Sequence, residues 1–287
     1  MLLYIVRCDK MKKKKIKIKY KNIFLMLLVL VFTYLLIFSI YKIILWYKDN
    51  KNIDKQVNEI NKITKIEEVK DNENTELVNP PDEGDKKNPY WDYIEMNLLN
   101  VDFKELKKTN NQTKGWIQVN GTTINYPFVQ TQDNSFYLTH SFDKSYNEAG
   151  WVFLDYRNNI NELDRNTILY AHGRMNKTMF GSLKNIIKSD WYSNKDNYVI
   201  KMSTETENTL WQVFSVYKIP TTNDYIQVNF SSDEEYNKFL NKLKKRSTFD
   251  FNVDLTEKDK IITLSTCYND YEKVAMHAKL IKYEKKQ

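Results

Sequence analysis

Cys267 ends the run Lys260-Ile261-Ile262-Thr263-Leu264-Ser265-Thr266, a β-branched apolar stretch that reads as a buried strand. The one other cysteine, Cys8, precedes a segment apolar enough to span a bilayer, so the two thiols are expected on opposite faces of a membrane and cannot pair. A lone thiol in an extracellular domain is either a small buried hydrophobe or a nucleophile. The strand-exit position, followed at once by the polar run Tyr268-Asn269-Asp270, favours the nucleophile.

A cysteine nucleophile needs a group that takes its proton and a donor for the leaving amine, and histidine serves both near neutral pH. The chain has three histidines. His172 follows the strand-like Thr167-Ile168-Leu169-Tyr170-Ala171 and precedes Gly173, so it sits at a strand exit as Cys267 does. His140 falls in a short turn and His277 inside the last strand, and both read as hydrogen-bonded structural residues.

The elements that must position this pair follow from the rest of the chain. Ile23 to Tyr41 is apolar except for Thr33 and Ser39, long enough to cross a bilayer as a helix. Lys12 to Lys15, Lys17, Lys19 and Lys21 precede it, which predicts a cytoplasmic N-terminus and an exterior remainder. A cleaved signal peptide fits less well, because the run is long and no A-x-A-like site follows. Met11, directly before the lysine block, is an alternative start.

The formal net charge of +7 suggests nucleic acid until it is located. Residues 1–21 carry nine Lys or Arg and one Asp, so everything after them sums to −1. The basicity suits an anionic inner leaflet, and no nucleic-acid footprint is left for the exterior part.

Four segments are expected: a basic cytoplasmic tail at 1–21, a transmembrane anchor at 22–45, a polar stalk, solvated or loosely helical, at 46–88, and a catalytic domain at 89–287. Asn79-Pro80-Pro81-Asp82-Glu83-Gly84 marks the last boundary. Tyr90 to Lys108 carries apolar residues at helical spacing with one break. Then the period changes: Gly115–Val119, Thr122–Phe128, Trp151–Asp155, Thr167–Ala171, Tyr198–Met202, Leu210–Tyr217, Ile261–Thr266 and Val274–Ile281 read as short strands. Asn120-Gly121 is a hairpin signal between the first two. One helix interrupts the series, opened by the capping-box pattern Ser232-Asp233-Glu234-Glu235 and striped by Tyr236, Phe239, Leu240 and Leu243. The pattern predicts a closed or nearly closed β-barrel with helices at its margin. No phosphate loop and no metal-ligand spacing are present, so neither a cofactor nor a metal is expected.

Thr263-Leu264-Ser265-Thr266-Cys267 resembles the TLxTC signature of sortases, membrane-anchored cysteine transpeptidases of Gram-positive cell surfaces, and Tyr170-Ala171-His172 resembles their histidine segment. Gly115-Trp116-Ile117, Tyr126-Pro127-Phe128-Val129-Gln130, Asp133 to Leu138, Asp155-Tyr156-Arg157-Asn158 and the helix from Ser232 to Arg246 look specifically like class B. The resemblance covers about residues 90–283. NlpC-type peptidases place cysteine before histidine and L,D-transpeptidases keep the pair closer, so both fit less well.

The resemblance implies a mainly β fold: an eight-stranded sortase-type barrel with N-terminal helices and one helix before the nucleophile strand, preceded by a single transmembrane helix. It implies that Cys267 attacks the carbonyl after threonine in a C-terminal sorting motif of a surface protein, and that His172 protonates the leaving amine. The acceptor would be an amine of peptidoglycan or its precursor, or of a pilin lysine in a polymerase variant. The family's arginine on the last strand falls on Lys273, a departure that replaces a planar fork with a point charge. Arg174 or Arg246 are the spatial alternatives. A weakened, peptide-binding module is the reading this departure would favour. Ser265 is expected to line the groove, with Tyr225 and Ile226 in its wall or, alternatively, in barrel packing.

Overall fold

The computed structural model describes residues 20–81 and 88–286, so Cys8, the lysine block and Asp82-Glu83-Gly84 lie outside it. The chain divides into two compact units, residues 1–48 and 49–287. The described part of the first is helix α1 (Tyr20–Ile63) up to Lys48, long and apolar enough to cross a membrane.

In the second unit, α1 continues to Ile63 and is followed by β1 (Ile66–Val69) and β2 (Thr75–Leu77). Helix α2 (Tyr90–Ile94), β3 (Leu98–Val101) and α3 (Lys104–Thr109) come next. Then come β4 (Thr113–Val119), β5 (Asn125–Val129), β6 (Phe153–Leu154) and β7 (Asn166–Tyr170). A short α4 (Ser189–Tyr192) precedes the hairpin of β8 (Val199–Thr204) and β9 (Glu207–Pro220). Helix α5 (Asp233–Arg246) crosses to β10 (Ile261–Cys267) and β11 (Glu272–Lys285).

The order β10-β7-β6-β5-β4-β8-β9-β11, closed by a β10–β11 pairing, makes an eight-stranded barrel, as expected. Closure removes the exposed edges that an open sheet would leave. Trp116, Trp151, Trp211, Phe128 and Tyr217 are among the largest side chains of the core, all but inaccessible to solvent. β9 and β11 pair along their whole lengths, and two register shifts, one with the extra residue on each strand, let these long strands bend with the wall.

Two expectations fail. The described part of 46–88 is not a free stalk: Ile53 and Ile60 of α1 are buried in the core, β1 pairs with β3, and β2 extends the sheet on β11. Lys282, its side chain fully buried on β11, donates to Asp71 Oδ1 (2.7 Å) and Met96 O (2.8 Å), tying this layer to the barrel. The helical pattern of Tyr90 to Lys108 is two short helices flanking a strand; Leu98 and Leu99 are both buried there.

Helix α5 forms where its caps predict. Ser232 Oγ accepts from Glu235 N (3.1 Å), while the Glu235 carboxylate accepts from Ser231 N (2.7 Å), one residue earlier than a strict capping box. Acidic residues fill the first turn and Lys244, Lys245 and Arg246 the last, both favourable to the helix dipole.

Candidate active site

β10 runs parallel to β7, with Ser265 level with Tyr170. Both strands therefore end at the same rim, and Thr266 Oγ1 continues the register by donating to Ala171 O (2.8 Å). One residue further stand Cys267 and His172. Gly173 is needed for this approach, since a Cβ there would lie 2.2 Å from Cys267 O and 2.7 Å from Lys184 Cε. Gly173→Ala is expected to push the two strand ends apart, costing about 1–3 kcal/mol of stability and slowing alkylation of Cys267 by iodoacetamide. Thermal melting and the alkylation rate check both effects.

On the other side β10 pairs antiparallel with β11, setting Cys267 directly opposite Lys273. The turn between them is closed by Tyr268 N donating to Glu272 O (2.8 Å). Lys273 Nζ donates to Cys267 Sγ at 2.9 Å, so the ammonium meets the sulfur itself. Cysteine attacks as the thiolate, and Lys273 stands with its donors turned to the atom that would carry that charge.

His172 Nε2 is 2.8 Å from the carbonyl of Leu138. A carbonyl only accepts, so Nε2 carries a proton and Nδ1 is left as the position that gains or loses one. Glycine at 150 makes room for the ring: its φ is +62°, and a Cβ would come within 3.1 Å of His172 Cδ2.

Cys267, His172 and Lys273 share a cleft of about 380 Å³ with Ser265, Tyr225 and Ile226, so all six expected site residues are brought together. Tyr225 Oη lies 2.8 Å from Ser265 Oγ, both groups buried, which ties the loop after β9 to the nucleophile strand. Burial, with smaller contributions from Cys267 and Asp224, pushes the Tyr225 phenol up, so it stays a neutral hydrogen-bonding group. Sequence reasoning missed Asn134, Leu138, Phe153, Thr222 and Asn223, which also line the cleft. Asn134, Leu138, Thr222 and Asn223 lie outside the strands, where no period in the sequence marks them, while Phe153 sits on β6, whose strand pattern does not say that it faces the cleft.

The alternatives to Lys273 lie elsewhere. Arg246 makes a two-pronged pair with Asp224 (2.9 and 2.6 Å), and Arg174 donates to Asn50 on α1. His140 stacks on Phe136 with centroids 4.0 Å apart. His277 is wholly buried between Thr263 Oγ1 and Tyr217 Oη, each 2.9 Å away. Among the described residues no group of three or more His, Cys, Asp or Glu could hold a metal ion.

A family model described as the sortase domain matches residues 117–283. Sortase B of Staphylococcus aureus is 36% identical over 184 residues, covering 63% of this chain and 75% of that protein. Among solved structures, a Staphylococcus aureus sortase B–substrate complex matches with a TM-score of 0.59 and 36% identity, over 63% of this chain and 84% of that one. A Bacillus anthracis protein described as similar to sortase B matches with a TM-score of 0.63 and 33% identity, over 84% of this chain and 98% of that one. A closed eight-stranded barrel, a thiol and a histidine at the ends of adjacent parallel strands, and these likenesses agree: the chain belongs to the sortase family, as a class B cysteine transpeptidase of the kind that anchors proteins to the cell wall.

Proposed function

We propose that this enzyme cleaves a sorting motif after threonine near the C-terminus of a surface protein, and joins that protein to an amine of peptidoglycan or its precursor. The observation that carries the reading is the 2.9 Å contact between Lys273 Nζ and Cys267 Sγ in a cleft that also holds His172. The thiolate attacks the threonine carbonyl, forming the S–C bond. Collapse of the tetrahedral intermediate breaks the C–N bond, and His172 Nδ1–H gives its proton to the departing amine. The incoming amine then loses a proton to Nδ1, attacks the thioacyl carbon and expels the thiolate, which restores the starting state.

Lys273 supports this sequence as a point charge beside the sulfur. It stabilises the thiolate before attack and the developing oxyanion after it. What it lacks is the fork that would hold a carbonyl and an oxyanion at once. Lys273→Met should lower kcat/KM by roughly 100-fold, and Lys273→Arg should stay within about tenfold of the native enzyme. Release of the C-terminal fragment from a peptide substrate measures both. Turnover seen only in the arginine variant would instead mean that the native chain binds surface peptides without processing them.

The lysine block before the apolar run Ile23–Tyr41, set against Lys42 and a mixed-charge stretch directly after it, supports a single-pass topology, with the N-terminus in the cytoplasm and the catalytic domain outside. The deciding experiment incubates the full chain, in detergent, with a library of threonine-containing pentapeptides and weighs the protein by mass spectrometry. An acyl adduct on Cys267 is the expected result. No adduct with any peptide, from a protein whose thiol still alkylates, would end the proposal.

A further inference from the structure

Asp155, just beyond β6, has a carboxylate with no exposed surface, and five hydrogen bonds converge on it. Arg157 supplies three: its backbone N (3.0 Å) and Nε (2.8 Å) to Oδ1, and Nη2 (2.7 Å) to Oδ2. Asn134 Nδ2 (3.0 Å) and Tyr170 Oη (2.9 Å) donate to Oδ2. The same Arg157 Nη2 also donates to Ile226 O (2.9 Å). None of these bonds is made to Cys267, His172 or Lys273, yet Asn134, Tyr170 and Ile226 all line the cleft beside them.

The three lining residues come from segments far apart in sequence: the loop after β5, the end of β7 and the loop after β9. Each is held through one ion pair whose carboxylate is buried. Asn134 is fixed at both ends of its carboxamide, because Oδ1 accepts from Tyr156 N (3.0 Å). That leaves it one N–H and one lone pair to offer a ligand in a set orientation. Tyr170 spends its only proton on Asp155, so toward the cleft it offers its ring and lone pairs.

We infer that Asp155 and Arg157 are the positioning pair for the peptide-binding walls, fixing Asn134, Tyr170 and the Ile226 backbone as one unit relative to the nucleophile. The charge state agrees. Burial alone would raise the Asp155 carboxyl, but the hydrogen bonds from Arg157 and Tyr170 outweigh it and hold the carboxyl below its ordinary value. The acid thus stays ionised and its bonds stay made across the neutral range. The inference rests on the reading of this cleft as the peptide site.

The test uses the full chain in detergent and the library pentapeptide that the native enzyme turns over best. Arg157→Met frees the Ile226 wall without touching the reacting groups, and should raise KM about tenfold with kcat within about threefold. Asp155→Asn, which also disturbs Asn134 and Tyr170, should raise KM further. The double variant should be no worse than Asp155→Asn alone, since both act through one unit. Arg157→Lys, which keeps the charge but loses the fork, should retain most of the defect. Iodoacetamide alkylation of Cys267 should stay within about twofold of native in every variant, a result that general loosening of the fold would not give. An unchanged KM in Arg157→Met, or alkylation slowed in parallel with turnover, overturns the proposal. A native enzyme that acylates with no library peptide overturns the peptide-site reading and takes this one with it.

Discussion

Cys267→Ala is expected to release no C-terminal fragment from any sorting peptide, a loss of at least about 10⁴-fold in turnover. Alanine removes the thiol that forms the acyl bond, and no second thiol lies among the described residues to take its place. The fold should hardly notice. Cys267 is only partly buried at the mouth of the barrel, so removing its sulfur opens no sealed cavity. Lys273, also partly exposed, can exchange its contact with Sγ for water. Melting of the variant should therefore fall close to that of the native protein, which separates lost chemistry from lost structure. Fragment release followed by chromatography checks the first expectation. Undiminished release from the alanine variant would mean that the nucleophile lies elsewhere and that the cleft has been misread.

Acid should weaken this fold well before its carboxylates are protonated. His277 is wholly buried, and burial first, with Arg246 second, lowers its pKa to about 3. An unfolded histidine titrates near 6.5. The sign follows from proton uptake: between those two values the unfolded chain binds a proton at this site and the folded chain does not, so stability falls as pH falls. The contribution is fully present above about pH 6.5 and exhausted below about 3. From pH 7 to pH 5 it should cost about 2 kcal/mol. Asp224, whose pKa Arg246 holds down at about 2, begins to matter only below the ordinary carboxylate range. Urea unfolding at pH 7 and pH 5 measures the effect in the native protein and in His277→Gln. The variant should start less stable, because the bonds to Thr263 and Tyr217 are remade imperfectly, but its stability should depend less on pH by the amount above. Equal pH dependence in both proteins would assign the acid sensitivity to another group.

The barrel was legible because each wall strand carries its own signal: β-branched or aromatic residues between turn residues, as in Ile261–Cys267 or the Asn120-Gly121 hairpin. Cys267 and His172 were legible for a related reason, as each ends such a run. What escaped depends on partners distant in sequence. Leu98-Leu99 sits among apolar residues spaced like a helix, and only β1, thirty or so residues earlier, makes it a strand. Ile53 and Ile60 looked too few to bury, since the surface that covers them belongs to later elements. The resemblance put the family's arginine position on Lys273, but its place directly opposite Cys267 and the bond from ammonium to sulfur needed the paired strands and a side-chain choice that no periodicity carries. The Asp155–Arg157 pair looked like part of a family signature; its contacts with Asn134 and Ile226 needed three loops brought to one place.

The parallel seam between β7 and β10, with β11 on its far side, also sets an order of assembly. β10 joins a strand almost a hundred residues upstream, and it closes the ring only with the last strand in the chain. Contacts of such long sequence separation form late, because the chain entropy of closing the loop must be lost before the contacts exist. Until β11 arrives, the sulfur has no ammonium opposite it. Until β7 and β10 lie side by side, it has no imidazole beside it. A chain whose barrel is still open therefore lacks the neighbours of its sulfur, and the assembled site arrives together with the final closure of the barrel.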